Sequence, residues 1–144
     1  MPYSYHYPRP AVTVDCLVYR EENGHREVLL IQRKNDPYKG KWALPGGFIE
    51  MDETLLEAAV RELREETGLN IPVMEQFRTF DAIGRDPRHR TISTVFIGNT
   101  GNVSGRLRAS SDASKVGWHS IDKLPDLAFD HKDIIRLAIQ RKLL

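Results

Sequence analysis

The sequence predicts an α/β protein in which a mixed β-sheet lies between two α-helices, forming an α/β/α sandwich. Three observations lead to this prediction. Several short segments alternate apolar and polar residues, which is typical of strands. Two longer segments, near residues 54–67 and 130–142, repeat apolar residues with helical spacing. The chain has 144 residues, which is room for one domain with a hydrophobic core, so we expect a single domain over residues 1–144.

The strand candidates lie on both sides of the first helix. In chain order they are residues 12–19, 27–33, 71–81, 90–98 and 115–119, while residues 42–44 lead into a glycine turn. The first two are expected to pair around a turn at 21–24. A Pro-Gly-Gly turn is expected at 45–47, where glycines let bare backbone approach a ligand. Residues 99–111 are rich in Gly, Asn and Ser and are expected to form a flexible connection.

The two helices carry sequence signals at their ends. Thr54 and Glu57 fit a capping box, and Gly68 is a left-handed stop. Asp130 is expected to cap the second helix, which is expected to extend through Lys142. Apolar spacing predicts the buried faces, with Leu55, Leu56, Ala59, Val60 and Leu63 in the first helix and Ile134, Ile135, Ala138 and Ile139 in the second.

Three glutamates near the end of the first helix suggest a cation site. Glu62, Glu65 and Glu66 are spaced as i, i+3 and i+4 and share an arc of ~100° on the helix. Glu66 falls just inside the apolar face and Glu62 at its edge, although a solvated charge run should lie opposite the core. A hard divalent cation such as Mg²⁺ would neutralise the repulsion through oxygen ligands. The alternative is an exposed acidic face paired with arginines.

This segment resembles the Nudix box. Gly47, Glu53 and the run Arg61-Glu62-Leu63-Arg64-Glu65-Glu66-Thr67-Gly68-Leu69 match that motif, and Trp42-Ala43-Leu44-Pro45-Gly46 precedes it. Nudix enzymes have an α/β/α sandwich with a loop-helix-loop catalytic motif. They hydrolyse nucleoside diphosphates linked to another group, using Mg²⁺ or Mn²⁺. The resemblance therefore implies a metal-dependent pyrophosphohydrolase.

The resemblance also assigns roles within the box. It implies that Glu62, Glu66 and the Gly46 carbonyl are metal ligands, and that Glu65 is a further ligand or the general base. Glu53 and Asp112 are the other candidates for the base. Arg61 and Glu53 would pair with one another and orient the carboxylates.

Two further segments resemble the ADP-ribose pyrophosphatase branch of this family. They are residues 80–88, which include Arg85-Asp86-Pro87-Arg88, and residues 127–131 before the last helix. The implied substrate is ADP-ribose, cleaved to AMP and ribose 5-phosphate, and the branch also implies a homodimer. Arg85, Arg88 and Arg90 are candidates to bind phosphates in bidentate fashion. The alternative is a solvated basic hairpin, or arginines paired with Asp81 and Asp86.

Several single residues are weaker candidates for substrate contacts. Arg33 ends a strand that faces the glycine segment, where it is either a phosphate partner or a surface arginine. Trp42, Phe80 and Tyr38 either stack on adenine or fill the core. His131 is better explained as a first-turn helix residue than as a catalyst.

Composition limits the partners. A formal net charge of +1 gives no global reason to expect nucleic acid or a membrane as a partner. The lone Cys16 forms no internal disulfide and is expected to be a small buried hydrophobe. The first ten residues lack the apolar stretch of a signal peptide, and no segment approaches the ~20 apolar residues of a membrane span. We therefore expect a cytoplasmic protein that binds a small nucleotide.

Two other functions remain open from the sequence. In the first, the substrate is another nucleotide, such as an oxidised nucleotide or a dinucleotide polyphosphate. In the second, the domain senses ADP-ribose without catalysis. Similar segments occur in transcription regulators that carry a DNA-binding module after a Nudix-like domain. The complete box favours catalysis, and about two residues after the predicted last helix leave no room for a winged helix.

Overall fold

The computed structural model of the protein describes residues 2–100, 104–109 and 113–144. Its elements, in chain order, are β1 (Ala11–Glu22), β2 (His25–Arg33), β3 (Trp42–Ala43), β4 (Gly46–Phe48), α1 (Leu55–Thr67), β5 (Leu69–Asn70), β6 (Glu75–Phe80), β7 (Thr91–Asn99), β8 (Ser104–Gly105), β9 (Ala113–Ser120) and α2 (His131–Gln140). No helix within these ranges is both long and apolar enough to cross a bilayer.

Strand β1 is the centre of a mixed seven-stranded sheet. It pairs antiparallel with β2 over one half and with β4 over the other. On its opposite side it pairs parallel with β7, with Ala11 opposite Thr91 and Tyr19 opposite Asn99. Strands β3 and β9 extend the sheet beyond β2, and β6 extends it beyond β7. Strands β5 and β8 form a separate two-stranded ribbon.

The two helices cover opposite faces of this sheet. Alternate residues of β1 point to opposite sides, so Cys16 packs against Ala59 of α1 while Leu17 lies in the cluster of Ile134 and Ile135 from α2. The predicted α/β/α sandwich is therefore confirmed. Cys16 is fully buried, as expected, and its Sγ donates to the Ala59 carbonyl at 3.3 Å.

Helix α1 has the predicted ends but a different buried face. The capping box is complete, since Glu57 N donates to Thr54 Oγ1 at 3.2 Å and Thr54 N donates to Glu57 Oε1 at 2.9 Å. Gly68 ends the helix in the left-handed region, at φ 83°. Ala58 is buried, whereas Leu56 is 37% exposed, so the prediction for Leu56 was wrong. Compared with the prediction, the buried face of α1 is rotated around the helix axis toward the glutamates. Glu66 therefore lies near the middle of that face.

Other differences from the sequence prediction have local causes. The Pro-Gly-Gly segment is not a turn, because Gly46 and Gly47 lie in β4 and pair with β1. The expected strand at 71–81 is broken, and Pro72, which has no N–H for a ladder, lies in the gap between β5 and β6. Strand β8 lies within the connection predicted to be flexible. Helix α2 ends at Gln140 rather than Lys142, which adopts a left-handed φ of 57°.

Candidate functional site

A cleft of about 650 Å³ opens beside strand β4 and the second half of α1. Its lining contains two groups of charged side chains, named here the acidic wall and the basic wall, and Asp15, Asp36 and Asp86 also line it. The acidic wall contains Glu50, Glu62, Glu65 and Glu66, and the basic wall contains Arg33, Arg85 and Arg88. A cleft lined by both kinds of charge suits an anionic ligand that is bound together with a cation.

The two glycines of β4 let the backbone lie directly against the acidic wall. Gly46 N donates a hydrogen bond of 3.0 Å to Glu66 Oε1. A Cβ on Gly47 would lie 2.7 Å from the Glu62 carboxylate, and one on Gly46 would lie 2.2 Å from the Val14 carbonyl oxygen. Only glycine fits at either position without displacing a neighbour. The adjacent glycines in the sequence were the signal for this close approach.

The acidic wall carries more negative charge than its protein partners offset. Burial raises the pKa of Glu66 well above its usual range, and the neighbouring Glu62 and Asp15 carboxylates add to this rise. Burial also raises the pKa of Glu62, although the hydrogen bond from Arg61 opposes the rise. The Glu62 and Glu66 carboxylates are near enough for each to change the pKa of the other. A bound cation would let both carboxylates ionise together.

Arg61 forms ion pairs with glutamates beside the cleft, and its predicted pair with Glu53 is present. Its Nε donates to Glu53 Oε2 at 2.9 Å and its Nη2 to Glu53 Oε1 at 2.5 Å. Its Nη1 lies 2.8 Å from Glu62 Oε1 and 3.2 Å from Glu65 Oε2. A further bond from Nη2 reaches the Phe48 carbonyl. Arg61 therefore ties three carboxylates to strand β4.

The candidates for the general base have different surroundings. Glu53 accepts two bonds from Arg61 and one from Glu50 N, and the Arg61 bond holds the pKa of Glu53 below its usual range. Such a carboxylate is a weak base. Glu65 lines the cleft, its side chain is 56% exposed, and it accepts only the Arg61 contact at its outer edge. Asp112 lies outside the described residues.

The donor set fits a hard divalent cation. Carboxylates and backbone carbonyls are the ligands that Mg²⁺ and Mn²⁺ prefer, and the surplus buried negative charge at Glu62 and Glu66 calls for a cation. In the described part of the chain, no three His, Cys, Asp or Glu side chains are gathered tightly enough to form a metal site by themselves. Ligands beyond these side chains, such as backbone or substrate oxygens, are therefore required.

The arginines of the basic wall are held in different ways. Arg33 Nε donates to the Pro37 carbonyl at 2.7 Å, and its guanidinium lies 5.0 Å from the centre of the Phe129 ring. Burial and the nearby Arg88 lower the pKa of Arg33. Arg88 is paired with Asp86 through contacts of 2.8 and 3.1 Å. Both guanidiniums border the cleft and are partly exposed.

Arg85 is buried, and its partner is one that the sequence did not suggest. Its Nε and Nη2 bind both Asp130 carboxylate oxygens at 2.9 and 2.6 Å. Its side chain is only 4% exposed. Asp130 is the N-cap residue of α2, as predicted, but its side chain makes no capping hydrogen bond, because Arg85 occupies the carboxylate. Arg90 does not line the cleft, and its Nη1 donates to the Asp81 carbonyl at 2.6 Å.

The aromatic residues named from the sequence do not line the cleft. Trp42 packs edge-on against His119, with 4.4 Å between ring centroids. Phe80 lies in the core near α2, and Tyr38 packs edge-on behind Phe129 at 4.9 Å. The phenyl rings that line the cleft are Phe48 and Phe129.

Both phenyl rings had a signal in the sequence. Phe48 follows the glycine pair directly, and Phe129 lies in the segment before α2. Phe129 also has a left-handed φ of 53°, which is uncommon for a bulky residue.

A buried polar group in the lining of the cleft was missed by sequence reasoning. Asp15 accepts a 2.6 Å hydrogen bond from Ser93 Oγ. His131, the first residue of α2 as expected, accepts a 2.9 Å bond at Nδ1 from Leu44 N, and burial lowers its pKa. The signal was Asp15 itself, a single acid inside the otherwise apolar strand β1.

The chain is similar to a described protein family and to proteins that contain its domain. The NUDIX domain matches residues 9–138. Over 130 residues the chain is 45% identical to the ADP-ribose pyrophosphatase of Methanocaldococcus jannaschii, covering 90% of this chain and 73% of that protein. It is 37% identical over 139 residues to the ADPR responsive transcriptional repressor NtrR of Acinetobacter baylyi, covering 94% of this chain but only 55% of the repressor.

A solved structure agrees with these matches. The NUDIX domain of Shewanella oneidensis NrtR, complexed with ADP ribose, superposes on this chain with a TM-score of 0.86 at 31% identity. The superposition covers 94% of this chain and 90% of that domain.

Proposed function

The chain belongs to the Nudix family, and on that premise we propose that it is a metal-dependent pyrophosphohydrolase that cleaves ADP-ribose to AMP and ribose 5-phosphate. The observation that carries the proposal is the cleft, whose lining contains both the glutamates of the family motif and Arg33 and Arg88. A diphosphate bridges the acidic and basic walls when cations lie on its acidic side. The resemblance to an ADP-ribose pyrophosphatase and to an ADP-ribose complex favours this substrate.

The metal-binding roles go to the residues that surround strand β4. Glu62, Glu66 and the Gly46 carbonyl would hold Mg²⁺ or Mn²⁺, and Glu65 would be a further ligand if it is not the general base. When bound, such a cation activates the attacking water and offsets charge on the phosphoryl oxygens. Arg61 and Glu53 keep the carboxylates oriented through the contacts described above.

The general base is proposed to be Glu65. Of Glu62, Glu65 and Glu66 in α1, Glu65 is the one that is exposed, and it borders the cleft, so its carboxylate is placed to accept a proton from water. Glu53 is the less suitable alternative because Arg61 holds it ionised. Asp112 remains a candidate from the sequence alone.

Substrate binding is proposed for the basic wall and the rings beside it. Arg33 and Arg88 would bind phosphate oxygens, while Phe48 and Phe129 are placed to contact the base or a ribose. Trp42 and Phe80, proposed from the sequence, lie outside this lining and would act only through neighbours. Arg85 lines the cleft but is committed to Asp130.

A panel of nucleotides assayed with Mg²⁺ and with Mn²⁺ tests the function. ADP-ribose should be hydrolysed with the highest kcat/KM, giving equal amounts of AMP and ribose 5-phosphate, and chelation should abolish turnover. Faster turnover of an oxidised nucleotide or a dinucleotide polyphosphate would replace ADP-ribose as the substrate. The same panel, followed by calorimetry, also tests the sensing alternative, which the resemblance to the repressor favours. Tight ADP-ribose binding without turnover under either metal would establish it.

The proposal extends to the molecule's surroundings. We propose a cytoplasmic homodimer that binds neither nucleic acid nor membrane. Light scattering after size exclusion should give twice the monomer mass of 16.5 kDa. A monomeric protein with full activity would contradict the proposed homodimer and leave the hydrolase proposal intact.

A further inference from the structure

A buried polar network joins strands β1 and β7, the loop between β6 and β7 and the start of α2, and Asp15, Arg85 and His131 of this network also line the cleft. Asp15 lies at its centre, on strand β1. Arg85, from the loop between β6 and β7, has Nη2 at 3.8 Å from Asp15 Oδ2. His131, from the start of α2, has Nε2 at 3.5 Å from Asp15 Oδ1. Ser93 from β7 donates to Asp15, and Arg85 continues the network to Asp130. All of these side chains except Asp130 belong to buried residues.

The hydrogen bonds of His131 determine its tautomer. Leu44 N donates to Nδ1, so that nitrogen carries no proton. The ring proton of the neutral imidazole is therefore on Nε2, which faces the Asp15 carboxylate. His131 thus connects the backbone of residue 44 to Asp15 through its two ring nitrogens.

The network touches the glycine strand on the side opposite Glu66. Asp15 is the ladder partner of Gly46, and a Cβ on Gly46 would lie 2.6 Å from Asp15 Oδ1. On the other side, Gly46 N donates to Glu66. The backbone of residues 44–46 is therefore held by His131 at Leu44, packed against Asp15 at Gly46, and bonded to the acidic wall.

We propose that Asp15, His131 and Arg85 are positioning residues that hold residues 44–46 in the place required for cation binding. The proposal rests on the proposed function only for the location of the cation beside Gly46 and Glu66. Groups that orient metal ligands from behind typically change metal affinity about ten- to a hundredfold when removed. Within this network Arg85 is bound to Asp130. Arg85 is therefore not free to bind a substrate, and the Asp130 side chain is not free to cap α2.

Variants of His131 separate its two contacts. His131→Phe keeps the ring shape but removes both. His131→Asn retains an acceptor near the Nδ1 position for Leu44 N and is too short to reach Asp15. His131→Gln places a donor near the Nε2 position and loses the acceptor. Ser93→Ala removes one donor to Asp15 without changing the ring. His119→Phe is the matched control, because His119 is a half-buried histidine that packs on Trp42 away from the cleft.

The readout is Mn²⁺ affinity, measured by electron paramagnetic resonance without nucleotide. We expect His131→Phe to weaken Mn²⁺ binding about ten- to a hundredfold, with His131→Asn partly restoring it and His119→Phe leaving it unchanged. The Leu44 amide should exchange with solvent faster in His131→Phe and His131→Gln than in His131→Asn. Melting temperatures identify any variant that fails to fold. If His131→Phe does not fold, the Mn²⁺ affinities of Ser93→Ala and His131→Asn are compared with that of the wild type instead.

Equal Mn²⁺ affinity in wild type and in every folded variant would overturn the proposal and leave a purely structural network. A loss of stability in His131→Phe with unchanged Mn²⁺ affinity would have the same meaning. Failure of the proposed function is seen separately, as absence of nucleotide turnover by a wild-type protein that binds Mn²⁺.

Discussion

Glu66 is the residue at which charge and burial conflict most strongly. Its carboxylate is buried, accepts one backbone hydrogen bond from Gly46, and has the Glu62 and Asp15 carboxylates as neighbours. A helix position near the middle of the buried arc normally holds an apolar side chain. The acid therefore destabilises the metal-free protein, and cation binding would relieve that cost.

The variant Glu66→Gln tests this role directly. Glutamine keeps an oxygen that accepts the Gly46 N–H bond, so the fold should be retained. Turnover should fall by about a hundredfold or more, because several kcal/mol of charge stabilisation are lost with the ligand. Steady-state kinetics over a range of Mg²⁺ concentrations measures the change. Glu75→Gln, at an exposed position in β6, is the control, and near-normal turnover in Glu66→Gln would mean that the cations bind elsewhere.

Arg85 and Arg33 should respond differently to truncation. Arg85→Ala leaves Asp130 and the buried Asp15 without a cationic partner, which typically costs ~3–5 kcal/mol in the free energy of unfolding. Arg33 has no ion pair among the described residues, so Arg33→Ala should change stability by less than ~1 kcal/mol. It should instead raise the KM for ADP-ribose.

Chemical denaturation and steady-state kinetics of the two arginine variants separate these expectations. A raised KM in Arg85→Ala with wild-type stability would restore that arginine to direct substrate binding. The opposite pattern at Arg33, with lost stability and unchanged KM, would remove it from recognition.

Strand β4 shows how one element combines folding and function through two adjacent glycines. A Cβ at Gly46 meets backbone, the Val14 carbonyl oxygen at 2.2 Å, which cannot move without separating β4 from β1. A Cβ at Gly47 meets only the end of a flexible side chain, the Glu62 carboxylate. The two substitutions should therefore have different consequences.

Gly46→Ala should lower the melting temperature, and Gly47→Ala should keep most of the stability but lose activity as Glu62 is displaced. Thermal melts and Mn²⁺ affinity, measured on both variants, provide the comparison. Wild-type Mn²⁺ affinity in Gly47→Ala would show that Glu62 is not positioned by this contact.

The elements with local signals were the ones that the sequence could predict. The capping box at Thr54 and the stop at Gly68 depend on contacts within a few residues, and the helical spacing of Glu62, Glu65 and Glu66 is equally local. Contacts across the fold had no such signal. Asp130 has the position of a helix cap, yet its carboxylate binds Arg85, which is 45 residues away in the chain. Trp42 and Phe80 pack against the core cluster of α2, whereas Phe48 and Phe129 line the cleft, and composition does not distinguish the two pairs.

At the scale of the whole molecule, the near-zero net charge conceals a local concentration of charged side chains. The formal charge is +1, yet exposed and half-buried carboxylates and several arginines are concentrated in the lining of one cleft. Stability should therefore depend on pH through a few groups rather than through the total charge. Lowered pKa values at Glu53 and Asp86 make their contributions disappear as pH falls through those values, while Glu62 and Glu66 act in the opposite direction.

The pH dependence of the metal-free protein provides the last prediction. Because burial raises the pKa of Glu66, the folded state binds more protons than the unfolded state once pH exceeds the ordinary glutamate value of ~4.3. The Glu66 contribution is thus fully present below that pH and is lost as pH rises through the raised pKa. Glu66→Gln lacks this loss, so its melting temperature relative to wild type should increase with pH, by ~2–4 °C for each kcal/mol. Other titrating groups, including His131, largely cancel in the comparison.

Added Mg²⁺ should reverse that difference, because a ligand that binds only the folded state stabilises it by RT ln(1 + c/Kd), where c is the free ligand concentration. In wild type the rise in melting temperature with Mg²⁺ should grow with pH, since protons compete with the cation for Glu62 and Glu66. In Glu66→Gln the rise should be small at every pH. Scanning fluorimetry measures melting temperature against pH for the wild type and for Glu66→Gln, each with chelator and with Mg²⁺. Parallel metal-free curves for the two proteins would mean that Glu66 is ionised and solvated, and the assignment of the acidic wall as a cation site would then fail.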